Sequence, residues 1–101
     1  MSGQAAFAML ICEIHLPAAR SLKEKRRVVK SLSERFHRRF RVSIAETDFH
    51  DLHQRSQLSM ALVDRSPSRV ERMAEEMRQL AETYMEASVV RWDLELFEVE
   101  T

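Results

Sequence analysis

Hydrophobic spacing along this chain changes period four times, and that alternation limits the available folds more than any other feature. From Phe7 to Leu16 it follows a period of two: Leu10, Cys12, Ile14 and Leu16 take one face, Met9, Ile11, Glu13 and His15 the other. Pro17 ends this first expected strand. Ser21 then opens a helix, with Glu24 three residues on at capping-box spacing. At 100° per residue, Leu22, Val28, Val29, Leu32, Phe36 and Phe40 fall in one arc of about 120°. The spacing predicts a helix from Leu22 to about Arg39, roughly 27 Å long. Lys25 also falls on the apolar arc, where a first-turn ammonium is expected to snorkel to solvent.

Arg41 to Phe49 reads as a second strand and Gln57 to Asp64 as a third, joined by the polar stretch His50 to Arg55 as a hairpin. Pro67 suits the first turn of a second helix, and Ser68 with Glu71 repeats the capping-box spacing. Val70, Met73, Ala74, Met77, Leu80, Ala81 and Tyr84 form its apolar stripe. Ser88 to Val99 alternates again, with Val90, Trp92, Leu94 and Leu96 expected to face the core. The order β-α-β-β-α-β predicts an α+β, ferredoxin-like fold, two helices on one face of a four-stranded antiparallel sheet. Residues 1–5 are expected to form a disordered leader and residues 6–101 a single domain. Strands two and four become the sheet edges. The outer sheet face would carry Met9, Ile11, Ala45, Ala61 and Phe97, apolar enough to expect a homodimer.

Composition removes several function classes. Gly3 is the only glycine, so neither a P-loop nor a dinucleotide fingerprint can be built. The longest apolar run, Ala5 to Cys12, is too short to span a bilayer, so no membrane association is expected. Cys12, the single cysteine, lies among Leu10, Ile11 and Ile14 and reads as a buried, inert thiol. A cytoplasmic location is the corresponding default.

Charge is the anomaly. Formal net charge is zero, yet ten of the sixteen Lys and Arg residues lie between Arg20 and Arg41 with only Glu24 and Glu34 as acids. That segment carries +8, and Val42 to Thr101 carries −7. Lys23, Arg26, Arg27, Lys30 and Arg38 gather on the polar side of the first helix, with Glu34 among them. A row of cations on one helix face can meet successive phosphates of RNA, and the excess of Arg over Lys suits bidentate phosphate contacts. Phe36, Phe40, Tyr84 and Trp92 all read as core, so stacking on bases has little support and recognition of a structured backbone fits better. The alternative is a solvated face balanced by acids across the groove, or one that meets an acidic partner protein.

The stretch His15-Leu-Pro, Ser21-Leu-Lys-Glu-Lys-Arg-Arg-Val-Val-Lys-Ser-Leu32, Phe40-Arg-Val-Ser-Ile-Ala-Glu46 and Asp51-Leu-His-Gln-Arg55 resembles the YlxP-like family of small bacterial proteins of unknown function. The likeness extends over nearly the whole chain, and Ser21 to Leu32 is its most specific part. It implies a ferredoxin-like fold, often dimeric, and a loose association with translation, with no catalytic residues to carry over. His53 stands where the family commonly has an aromatic residue.

Three further groupings are candidates. Glu46, Asp51, Gln54 and Arg55 are expected to organise the hairpin by hydrogen bonds and an ion pair, with Arg55 reaching Glu46 or a partner subunit. Asp48, His50, Asp51 and His53 could hold a divalent ion only if the loop brought them together, and their spacing matches no helical metal motif. Glu13 and His15 share a strand face and could form an acid–base pair. No nucleophile-with-base spacing occurs, so a non-catalytic protein without cofactors or metals is the expectation.

Overall fold

In the computed structural model, which describes residues 3–101, the six elements follow in the expected order. They are β1 (Gln4–His15), α1 (Leu22–Phe40), β2 (Ser43–Asp48), β3 (Arg55–Asp64), α2 (Pro67–Glu82) and β4 (Ser88–Glu100). The sheet order is β2-β3-β1-β4 with every neighbouring pair antiparallel, so the fold is ferredoxin-like and β2 and β4 are its edges.

Alternation in β1 divides the molecule. Ala6, Ala8, Leu10, Cys12 and Ile14 are buried beneath the helices together with Leu58, Met60 and Leu62 of β3. The helices close this layer with Val28, Leu32, Phe36 and Phe40 of α1 and Val70, Ala74, Met77 and Ala81 of α2. Helix α1 lies over β2, and α2 lies over β1, β3 and β4. The opposite sheet face has no covering layer. There Phe7 and Phe97 stack at 4.8 Å between ring centroids, and Met9, Val63 and Val99 are exposed.

Four local expectations are corrected. Strand β1 begins at Gln4, within the expected leader, because Gln4 and Ala5 pair with Glu100 and Val99. Gly3 and Thr101 exchange backbone hydrogen bonds beyond them; the rest of the expected leader, Met1 and Ser2, lies outside the described residues. Ser66, not Ser68, caps α2, its Oγ accepting the Arg69 N–H at 3.3 Å. Pro67 has no N–H and occupies the first turn, which makes the residue before it the cap.

In β4 the register shifts at a bulge opposite Glu13 and Ile14, so Val89 packs against the core and Val90 is 56% exposed. The fourth correction concerns Lys25, whose side chain is only 1% exposed and does not snorkel at all.

Candidate functional site

Helix α1 carries its charges in two opposite directions. Ser21 caps its start, accepting the Glu24 N–H at 3.1 Å, while the Glu24 carboxylate accepts from the Arg20 N–H one residue before the cap. Its end is closed by Arg41 in the left-handed region, φ 54°, whose N–H donates to the His37 carbonyl at 3.0 Å. Between these caps, Val28, Leu32 and Phe36 anchor one side to the core, which fixes what the other side shows.

That other side presents Lys23, Arg26, Arg27, Lys30 and Arg38, all exposed, with Glu34 beside them. Of these only Arg27 has an ion pair among the described residues, Nη2 to Glu86 Oε2 at 2.6 Å. The hydrogen bond that Arg27 donates to Glu86 raises the Arg27 pKa further, so that side chain stays charged but is partly neutralised. Lys23, Arg26, Lys30 and Arg38 are therefore the free cations of the expected set.

Arg35 and Arg39, which the helical phase had left out, extend the basic surface toward α2. Ser31, Glu34, Arg35, Arg38, Arg39 and Leu80 line an open groove between the helices. Arg35 lies over the Tyr84 ring at 5.2 Å, and the Tyr84 hydroxyl donates to Ser31 Oγ at 2.8 Å. A second open groove runs along the other flank of α1, lined by Lys30, Ser33, Glu34, His37, Arg38 and Ile44 of β2. Open grooves rimmed by guanidinium and ammonium groups suit an extended polyanion better than a small enclosed substrate.

The inward cation does structural work. Lys25 Nζ meets Glu46 Oε2 at 3.1 Å and donates to the carbonyls of Phe49 at 2.8 Å and of His50 and Arg55 at 3.3 Å. Ser56 Oγ also donates to Glu46 Oε2. The buried ammonium thus binds α1 to the β2–β3 hairpin, and among the described residues no buried side-chain nitrogen or oxygen lacks a hydrogen-bond partner. Phe49 adopts φ 65°, held by that carbonyl contact and by Arg55, whose guanidinium lies 4.0 Å over its ring.

Arg55 does not reach Glu46. Its Nη2 pairs with Glu13 Oε2 at 2.8 Å, because both residues point to the outer sheet face while Glu46 points inward. The Glu13 carboxylate is thereby held in an ion pair rather than set against His15. Gln54 ties the hairpin to the β1–α1 loop through its Nε2 donations to Pro17 and Ala19 carbonyls, both at 3.4 Å, and through its own carbonyl, which accepts from the Leu16 N–H at 2.9 Å. Asp51 forms no ion pair among the described residues. Asp48 accepts the Phe49 N–H and His50 contacts the Glu46 carbonyl, and no group of three or more His, Cys, Asp or Glu side chains among the described residues could hold a metal.

Fold and surface together define a class, a small ferredoxin-like α+β domain with one strongly basic helix face. Residues 7–94 match the family described as "Protein of unknown function (DUF503)", and the chain belongs to that family. It is 43% identical over 70 residues to "Uncharacterized protein YlxP" of Bacillus subtilis (strain 168), an alignment spanning 69% of this chain and 74% of that protein. No helix among the described residues is long and apolar enough to cross a membrane.

Proposed function

We propose that this protein is a non-catalytic RNA-binding accessory that grips the phosphate backbone of a structured RNA, such as ribosomal RNA, with the outer face of α1. The observation that carries this reading is the division of charge on that helix. Lys25 is spent on the fold, whereas Lys23, Arg26, Lys30 and Arg38 stand exposed with no acid partner among the described residues. Cations with no internal partner are available to displace counterions from phosphates, which is where most nucleic-acid affinity originates. The absence of exposed aromatic rings on α1 favours backbone contact over base stacking.

Single substitutions test this directly in RNA binding at fixed low salt. Arg38→Gln weakens binding, and Glu86→Gln, which releases Arg27 from its pair, strengthens it by about two- to fivefold. Equal binding by both variants would remove the α1 face from the account.

A second reading accompanies the first, that the protein is a homodimer joined through the uncovered sheet face. The exposed side chains of Met9, Val63, Phe97 and Val99 support it, since a contiguous apolar face of this kind is costly to leave in water. Phe97→Lys then converts a two-chain mass in solution to one chain; a one-chain mass for the unmodified protein contradicts it.

A further inference from the structure

The helix flanks beside the two free edges of the sheet carry opposite charge, basic on α1 beside β2 and acidic on α2 beside β4. Edge β2 lies beside the flank of α1 that the groove with Ile44 identifies, and that flank carries Lys30, His37 and Arg38, with Arg26 one turn before Lys30. On α2, Leu80 faces the groove toward α1. At 100° per residue, Glu71, Glu75, Arg78 and Glu82 fall on the side of α2 turned away from Leu80, and so lie over edge β4. Arg78 is neutralised by Glu82 at 2.8 Å, and Glu71 and Glu75 have no ion pair among the described residues. Strand β4 adds Glu98 and Glu100, whose register partners Ala6 and Gln4 place them on the helix-bearing face.

Strand direction adds a geometric fit. The sheet has four strands that alternate in direction, so β4 runs antiparallel to β2 within one molecule. A second copy displaced along the sheet without reorientation brings its β4 antiparallel to this β2, with all helices on one side. The alternation then continues unbroken across the junction.

We propose that this chain self-associates head to tail, the β4 edge of one copy pairing with the β2 edge of the next. Main-chain hydrogen bonds supply the continuity, and the acidic α2 flank of one copy meets the basic α1 flank of its neighbour. The same charges oppose the symmetric alternatives. Pairing β2 with β2 sets cationic α1 flanks together, and pairing β4 with β4 sets acidic α2 flanks together. Leu94 and Val90, exposed on edge β4, and half-buried Ile44 of β2 are covered in the head-to-tail arrangement. A heterologous contact does not close on itself in a pair, and sheet twist turns its repetition into a ring or a helical filament.

The inference stands apart from RNA binding and from sheet-face pairing, so it is tested on nucleic-acid-free protein by sedimentation equilibrium. At low salt the weight-average mass climbs continuously with protein concentration, and the climb disappears by about 0.5 M salt, where screening is strong. Sheet-face pairing alone gives a fixed two-chain mass instead. Two exposed double variants, Arg26→Glu with Lys30→Glu and Glu71→Lys with Glu75→Lys, each lose the climb, and their equimolar mixture regains it. A mass independent of both concentration and salt overturns the inference. So does a mixture no heavier than its two components.

Discussion

Lys25 shows how one side chain can belong to a pattern and contradict it. Its phase on α1 matches the buried stripe, and its ammonium is buried with the stripe because Glu46 and three carbonyls replace the water it loses. Lys25→Met removes the charge and leaves half-buried Glu46 with Ser56 as its remaining donor and the three carbonyls without the ammonium, so it destabilises the protein by about 3–5 kcal/mol in urea denaturation. A loss below about 1 kcal/mol would show that the ammonium contributes little to holding the hairpin. The place of Lys25 on the apolar arc was legible in the sequence, but neither the burial of its ammonium nor its partner was. Glu46 sits on a different strand, and only the β2–β3 register decides that it points inward while Arg55 points outward.

Cys12 is legible at the same scale, since its neighbours alone announced an inert thiol, and it is fully buried. Burial, with a smaller contribution from the negative charge of Glu82, pushes its pKa up from 9.0 to about 12. Below pH 9 the thiol is protonated whether the chain is folded or not. Between pH 9 and about 12 the unfolded chain releases the proton first, so this group's stabilising contribution falls as pH rises through that window. Cys12→Ala flattens the alkaline fall in unfolding free energy relative to the unmodified protein; an unchanged slope would mean the thiol titrates alike in both states.

Elements were read well where periodicity was long and poorly where one residue set the boundary. Both helices, all four strands and the edge positions of β2 and β4 follow from hydrophobic spacing. The cap of α2 was missed because Ser66 and Ser68 are alike in type, and Pro67 between them decides by its missing N–H. Ser66→Ala should lower stability by about 1 kcal/mol and Ser68→Ala by a few tenths at most, as measured by thermal unfolding. The reverse order would restore Ser68 as the cap. The β4 bulge was invisible for a different reason. Val89 and Val90 are both valines, so no alternation marks which one faces inward, and only pairing with β1 fixes the shift at Ile14.

For the whole molecule, a net charge of zero conceals a body that is basic over α1 and acidic over α2 and β4. The sequence separates these charges along the chain, and the ferredoxin-like topology converts that into separation across space. It does so by setting α1 over β2 and α2 over β1, β3 and β4 on the same face of the sheet. The five outward cations were legible from helical phase alone. That Arg27 is occupied was not, because Glu86 lies in the α2–β4 turn, far away in sequence.

The central claim is that the free cations of α1 bind RNA phosphates. Its most direct test is a salt titration of binding to a structured RNA, comparing the unmodified protein with a Lys23/Arg26/Lys30/Arg38 quadruple substitution to Gln. The account predicts a linear fall of log affinity with log salt for the unmodified protein, with the slope smaller by about one for each phosphate-contacting cation removed in the variant. No binding at low salt, or the same affinity and slope for both proteins, would contradict it.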